Sequence, residues 1–174
     1  MFRGEVDWAA FKVSPTGELL WSRAYGSSQL DPLQSSLVLP DGTALLYGRS
    51  QGGNDHDMQS AAPASDWIFR IDGNGEVIWK KNNKDMPGIG TRKIILDVIQ
   101  LDANFVMLGG IVIIPGSSFN QEKYWFAKMN IHSGNVLYEK TYGGSNSDHI
   151  TQMLKLKNGN LLMGGYSTLL PQEI

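Results

Sequence analysis

The chain has 174 residues, 41% hydrophobic and 18% charged, the composition of a folded domain with a proper core and not of a disordered segment. Its formal net charge of −2 gives no electrostatic reason to bind nucleic acid or an anionic membrane. The absence of cysteine excludes disulfides, thiolate zinc sites and cysteine nucleophiles.

In chain order, the opening "MFRGEVDWAAF" lacks the apolar stretch and small-residue cleavage site of a signal peptide. Two short strands around "SPTG" are expected from Val6 to Ala24, followed by the turn "YGSSQLD", Tyr25 to Asp31. From Leu33 the chain alternates up to Asp41-Gly42, a strong hairpin signal, and returns through "LLYG". A long connection runs from Ser50 to Ser65. The strand "DWIFRID" then places Trp67, Phe69 and Ile71 on one face, with Arg70 and Asp72 on the other. "GNG" turns the chain into "EVIWKK". After "KKNNKDMPGIG" the same succession returns as "ILDVIQL", "ANFVMLGGI", a connection at Ile114 to Lys123, "YWFAKMN" and "NVLY". "YGGSNSDHI", Tyr142 to Ile150, leads into "TQMLKLK", the Asn158-Gly159 turn and "LLMGGYS". No segment has helical periodicity over ten or more residues. The longest apolar run, "GGIVIIPG", is too short to span a bilayer.

The succession is a repeat. Tyr25, Gly26, Ser28 and Asp31 lie 117 residues before Tyr142, Gly143, Ser145 and Asp148, and the same offset joins Gly42 to Gly159 and Gly48 to Gly165. A middle copy sits half-way: "KVSPTGELLW" matches "RIDGNGEVIW" at an offset of 58, and "KMNIHSGNVLY" is the third version, with one inserted residue. The repeats run over about 7–65, 66–123 and 124–174. Trp67 matches Trp125, whereas Trp8 fits one residue out of step, as a bulge in its strand would cause. Matched glycines fall at Gly75 and Gly134 and at Gly48, Gly109 and Gly165. Four short antiparallel strands per repeat imply an all-β protein and favour a β-propeller over a β-sandwich or a solenoid.

The phrases "DWIFRIDGNGEVIW" and "YGGSNSD…NGNLLMGGYS" resemble the long, about 58-residue propeller repeats of exported Bacteroidetes-type surface and secreted proteins. "DGNGEVIW" is also similar to the tryptophan-docking repeat of quinoprotein-like (PQQ-like) propellers. That resemblance makes Trp21, Trp79 and Tyr138 staples between neighbouring blades. It places the inner strands in hairpins such as "ITQMLKLKNGNLLMGGY" and the outer strands in "DWIFRIDGNGEVIW". On this reading the chain is a β-propeller fragment: two whole blades, at about Leu33 to Lys81 and Ile94 to Thr141, flanked by an outer hairpin (Val6 to Ala24) and an inner hairpin (Ile150 to Thr168). Three blades are too few to close a ring, so further blades of a parent protein, truncated at both ends here, are expected.

Candidate chemistry is sparse. "YGGSNSDHI" holds glycines, serine, aspartate and histidine, but no helix follows to complete a phosphate cradle, and the copy "YGSSQLDPL" has proline where His149 stands. It reads as an inter-blade turn in which Asp31 and Asp148 hydrogen-bond their own backbone and His149 is incidental. Asp55, His56 and Asp57 in "NDHD" are the one candidate for a divalent metal, set against a solvated loop. "DGNGE", Asp72 to Glu76, has the start of a calcium loop but continues as a hairpin turn. Trp8, Trp67, Tyr124, Trp125 and Phe126 offer either blade packing or a sugar-stacking platform. His132 reads as a surface turn residue.

No catalytic residue and no cofactor is expected. The reading is a non-enzymatic segment for binding or display in an extracellular or cell-surface protein, with an unknown protein or glycan partner. The alternatives are a fragment of a quinoprotein-like enzyme and a carbohydrate-binding propeller.

Overall fold

In a computed structural model, residues 4–51, 56–58, 64–83, 86, 92–115, 120–144 and 147–168 are described. Among them lie twelve strands: β1 (Trp8–Val13), β2 (Leu19–Tyr25), β3 (Leu33–Val38), β4 (Ala44–Ser50), β5 (Ser65–Ile71), β6 (Val77–Asn82), β7 (Arg92–Gln100), β8 (Phe105–Ile114), β9 (Gln121–Asn130), β10 (Val136–Tyr142), β11 (Asp148–Lys155) and β12 (Leu161–Ser167). They form four open antiparallel sheets, ordered β1-β2, β3-β4-β5-β6, β10-β9-β8-β7 and β11-β12. The all-β class and the grouping of strands by two, four, four and two agree with the reading of the repeats.

The chain divides into two compact units, Met1–Asn82 and Asn83–Ile174. In the first, the β1-β2 hairpin packs on the sheet β3 to β6. Its core gathers Trp8, Tyr25, Leu46, Met58, Trp67, Phe69 and Ile71. The alternation in "DWIFRI" explains the layer: Trp67, Phe69 and Ile71 all project to the same side, and Phe69 meets the rings of Trp8 and Tyr25 at 5.0 and 6.0 Å. In the second unit the β11-β12 hairpin packs on the sheet β7 to β10, with Met107, Ile150 and Met153 at the centre.

Two irregularities recur in every copy. In the first-to-second strand pairings the register slips by one residue between Leu33 and Ser35, between Ile95 and Asp97, and between Ile150 and Gln152. The residues facing each slip are Gly48, Gly110 and Gly165. A Cβ there would meet the carbonyl oxygen of Pro32, Ile94 or His149 at 2.5, 2.0 and 1.8 Å, so only glycine fits beside the bulge. This corrects the match of Gly109: its neighbour Gly110 is the counterpart of Gly48 and Gly165. The second slip lies in the third-to-fourth strand pairings, at Leu20, Ile78 and Leu137, immediately before Trp21, Trp79 and Tyr138.

The pairing also corrects the expected bulge near Trp8. From Lys12 back to Trp8 the register against β2 is unbroken, ending at Trp8 opposite Tyr25. In β9 and β10 the position opposite Tyr142 belongs to Tyr124. Trp8 is therefore the counterpart of Tyr124, not of Trp125. It faces the following hairpin, in the same core that Trp67 enters from β5.

Candidate functional site at the turn from Tyr142 to His149

β10 ends at Tyr142 and β11 begins at Asp148. Gly143 bends the chain at φ +123°, a conformation L side chains rarely adopt, and a Cβ there would lie 2.2 Å from the Asp148 carboxylate. Asp148 is buried. Its Oδ2 accepts the Gly144 N–H at 2.9 Å and its Oδ1 accepts the Ser167 hydroxyl. The first copy repeats the device: Asp31 is buried, and its Oδ2 accepts the Ser27 N–H at 2.5 Å and the Ser27 hydroxyl at 3.0 Å. A buried carboxylate holding the backbone four residues before it keeps both turns closed.

His149 is not incidental. Its Nε2 lies 2.7 Å from Glu122 Oε2 at the start of β9, and its Nδ1 lies 2.6 Å from the Tyr166 hydroxyl near the end of β12. The His149 and Tyr166 rings are 4.5 Å apart. The hydrogen bond from His149, with Ser147 adding to it, holds the Glu122 carboxyl below the usual range despite partial burial. With Glu122 ionised, Nε2 must carry a proton. In the neutral ring Nδ1 then accepts from the Tyr166 hydroxyl. The result is a carboxylate–imidazole–phenol chain whose last ring is 52% exposed, with the Tyr166 phenol held in a fixed orientation by its hydrogen bond.

Beside it lies a cavity of about 220 Å³ lined by Tyr124, Tyr142, Ile150, Met163, Gly164 and Gly165. Phe126 stacks on Tyr142 at 5.8 Å. Burial, reinforced by the Asp148 charge, pushes the Tyr124 phenol up, so this wall is neutral. An apolar, aromatic recess with a polar rim is chemistry suited to a small polar ring or to an aromatic side chain.

The other candidates disperse. Asp55 lies outside the described residues. His56 is an exposed turn residue at φ 53°. Asp57 is tied to the turn after β2: its N–H donates to Gly26 O at 3.1 Å, and its own carbonyl accepts Lys80 Nζ at 2.5 Å. Among the described residues no group of three or more histidines or carboxylates is placed to hold a metal ion. In "DGNGE", Asp72 Oδ1 accepts the N–H groups of Asn74 and Glu76 at 2.8 and 2.9 Å, and these bonds hold its carboxyl below the usual range. That oxygen builds the turn. Of the aromatic set, Trp8, Trp67 and Trp125 are buried, with Trp125 Nε1 donating to Glu139 at 3.0 Å, whereas Tyr124 and Phe126 are half-buried. His132 is exposed, 3.1 Å from Asn104 Oδ1.

Trp21 lies across the next turn of its unit. Its Nε1 donates to Gly73 O at 2.8 Å, and a Cβ on Gly75 would stand 3.0 Å from the ring. Tyr25 donates to Gly75 O at 2.7 Å, and Arg23 pairs with Glu76 at 2.6 Å. Trp79 is half-buried and Tyr138 exposed.

Sequence reasoning missed Glu122 and Tyr166. By strand position their counterparts in the first copy are Val6 and Arg49, and Pro32 stands for His149. The signal was the simultaneous departure of three residues from the repeat. It became legible only when pairing brought them together. No protein-family model matches the chain, and no curated protein matches its sequence.

Proposed function

We propose that the chain is a segment of a β-propeller belonging to an exported or cell-surface protein, serving as a non-enzymatic scaffold that binds a partner at its loop end. The observation that carries this reading is the threefold recurrence of one hairpin design. Each copy has a bulge facing an obligatory glycine between its first and second strands, and a second bulge before the Trp21, Trp79 or Tyr138 position between its third and fourth. Trp21 supplies the docking contact that a stack of blades requires, through Gly73 and Gly75. A structure of the parent protein by electron cryomicroscopy tests the architecture: the expected outcome is four-stranded sheets arranged radially about an axis, and a sandwich or linear solenoid would overturn it.

The binding surface is the rim formed by Glu122, His149 and Tyr166. An exposed tyrosine held by hydrogen bonds suits the face of a glycan ring. A glycan array probed with the parent protein and with its Tyr166→Ala variant is the test. The expected outcome is binding that the variant loses at least tenfold. Glycan binding that the variant keeps would move the site elsewhere.

A further inference from the structure

β5 lies between β4 and β6, and β8 between β7 and β9. Among the described residues, their repeat counterparts β1 and β12 each have one neighbour only, β2 and β11. The faces beside these two edges are apolar and matched to each other. On β1, Phe11 is 69% exposed and Val13 is also open. Their counterparts by register, Phe69 and Ile71, are buried in the core of the first unit, against Tyr25, Leu33 and Leu46. The repeat equivalents of those three wall residues are Tyr142, Ile150 and Met163, which line the 220 Å³ cavity. The first unit thus shows the socket filled, and the second shows it empty.

The reverse face repeats the match. Leu154 and Leu162 are 50% and 55% exposed. Their counterparts Ile99 and Met107 pack against the following hairpin, through Met153. Gly109 receives the Met153 side chain, whereas its counterpart Gly164 has nothing within 4 Å of its Cβ position. Beside β1, a second cavity of about 350 Å³, lined by Ala10, Phe11, Leu33, Val38, Ala44 and Leu46 among others, is open to receive such a face.

We infer that a second copy of this chain docks head to tail. β1 of one copy adds antiparallel to the free edge of β12 of the other, as β5 pairs with β4. The pairing of Leu46 with Phe69 sets Met163 opposite Phe11. Phe11 enters the cavity of Tyr124, Tyr142, Ile150 and Met163, while Leu154 and Leu162 enter the cavity beside β1. The contact is heterologous, so it leaves a free β1 and a free β12 on each pair and propagates. The inference rests on the equivalence of the repeats and needs neither a closed ring nor a ligand at Glu122.

Light scattering after size exclusion tests it on the whole chain across a concentration series. Wild type is expected to grow beyond a dimer as concentration rises. Phe11→Asp and Leu162→Asp each remain monomeric, and because both side chains are more than half exposed, near-ultraviolet dichroism shows them folded. Mixed in equal amounts, the two variants form one junction, between the intact β1 of Leu162→Asp and the intact β12 of Phe11→Asp, and stop at a dimer. A monomeric wild type, variants that assemble like wild type, or a mixture that stays monomeric would each overturn the second copy as the occupant.

Discussion

A few positions carry demands that neighbouring, chemically identical positions do not. Gly110 faces the Ile94 carbonyl oxygen at 2.0 Å from its Cβ position, whereas Gly164 faces open space. Gly110→Ala is therefore expected to cost about 3 kcal/mol, because backbone must move. Gly164→Ala should stay within about 0.5 kcal/mol. Urea denaturation of the two variants measures the contrast, and equal losses would refute the bulge argument. Glu122 makes a different prediction. Its pKa is lowered in the folded state, from an ordinary value of 4.5, chiefly by the bond from His149. The bond thus adds stability at pH above 4.5. That contribution fades as the pH falls through 4.5 and on through the lower folded value. Denaturation midpoints measured downward from neutral pH should show a shallower acid loss in Glu122→Gln than in wild type.

The hairpin is the element that repeats, and its turns separate conformational cost from packing cost. Gly17 and Gly75 sit at equivalent turns with φ of +86° and +80°. Nothing approaches the Gly17 Cβ position, while Trp21 and Arg23 crowd that of Gly75. Gly17→Ala is expected to lose about 1 kcal/mol for the left-handed backbone alone. Gly75→Ala should lose about 1–2 kcal/mol more, because Trp21 must shift. Thermal denaturation of both variants reads the difference, and identical losses would mean that Trp21 does not depend on this glycine. The hairpins were legible in the sequence because Asp41-Gly42, Asn158-Gly159 and the "GNG" turn fix their ends and alternation fixes their faces. The slip at Trp8 was not, since a one-residue offset in sequence looks the same whether a bulge or a changed orientation causes it.

At the scale of the molecule, Trp8, Tyr25, Trp67 and Phe69 organise the core of one unit and Met107, Ile150 and Met153 that of the other, with no residue in both clusters among the described residues. The losses from Phe69→Leu and Met153→Ala should therefore add within about 0.5 kcal/mol in the double variant. Equilibrium denaturation of the four proteins tests this, and a larger coupling would show that the cores communicate.

The sequence alone determined the all-β class, the hairpin boundaries and the repeat, because turn chemistry and period-two patterning are local and were written three times. It also determined that Asp31 and Asp148 serve their own turns, since in each the backbone N–H partner lies four residues away. Only the tertiary structure decided that Gly110 is the bulge glycine, that Trp8 faces the following hairpin, and that His149 joins Glu122 to Tyr166. Those facts depend on which strands become neighbours. Hydrogen bonds between residues 17 and 27 positions apart, present in one copy only, leave no periodic trace in the chain.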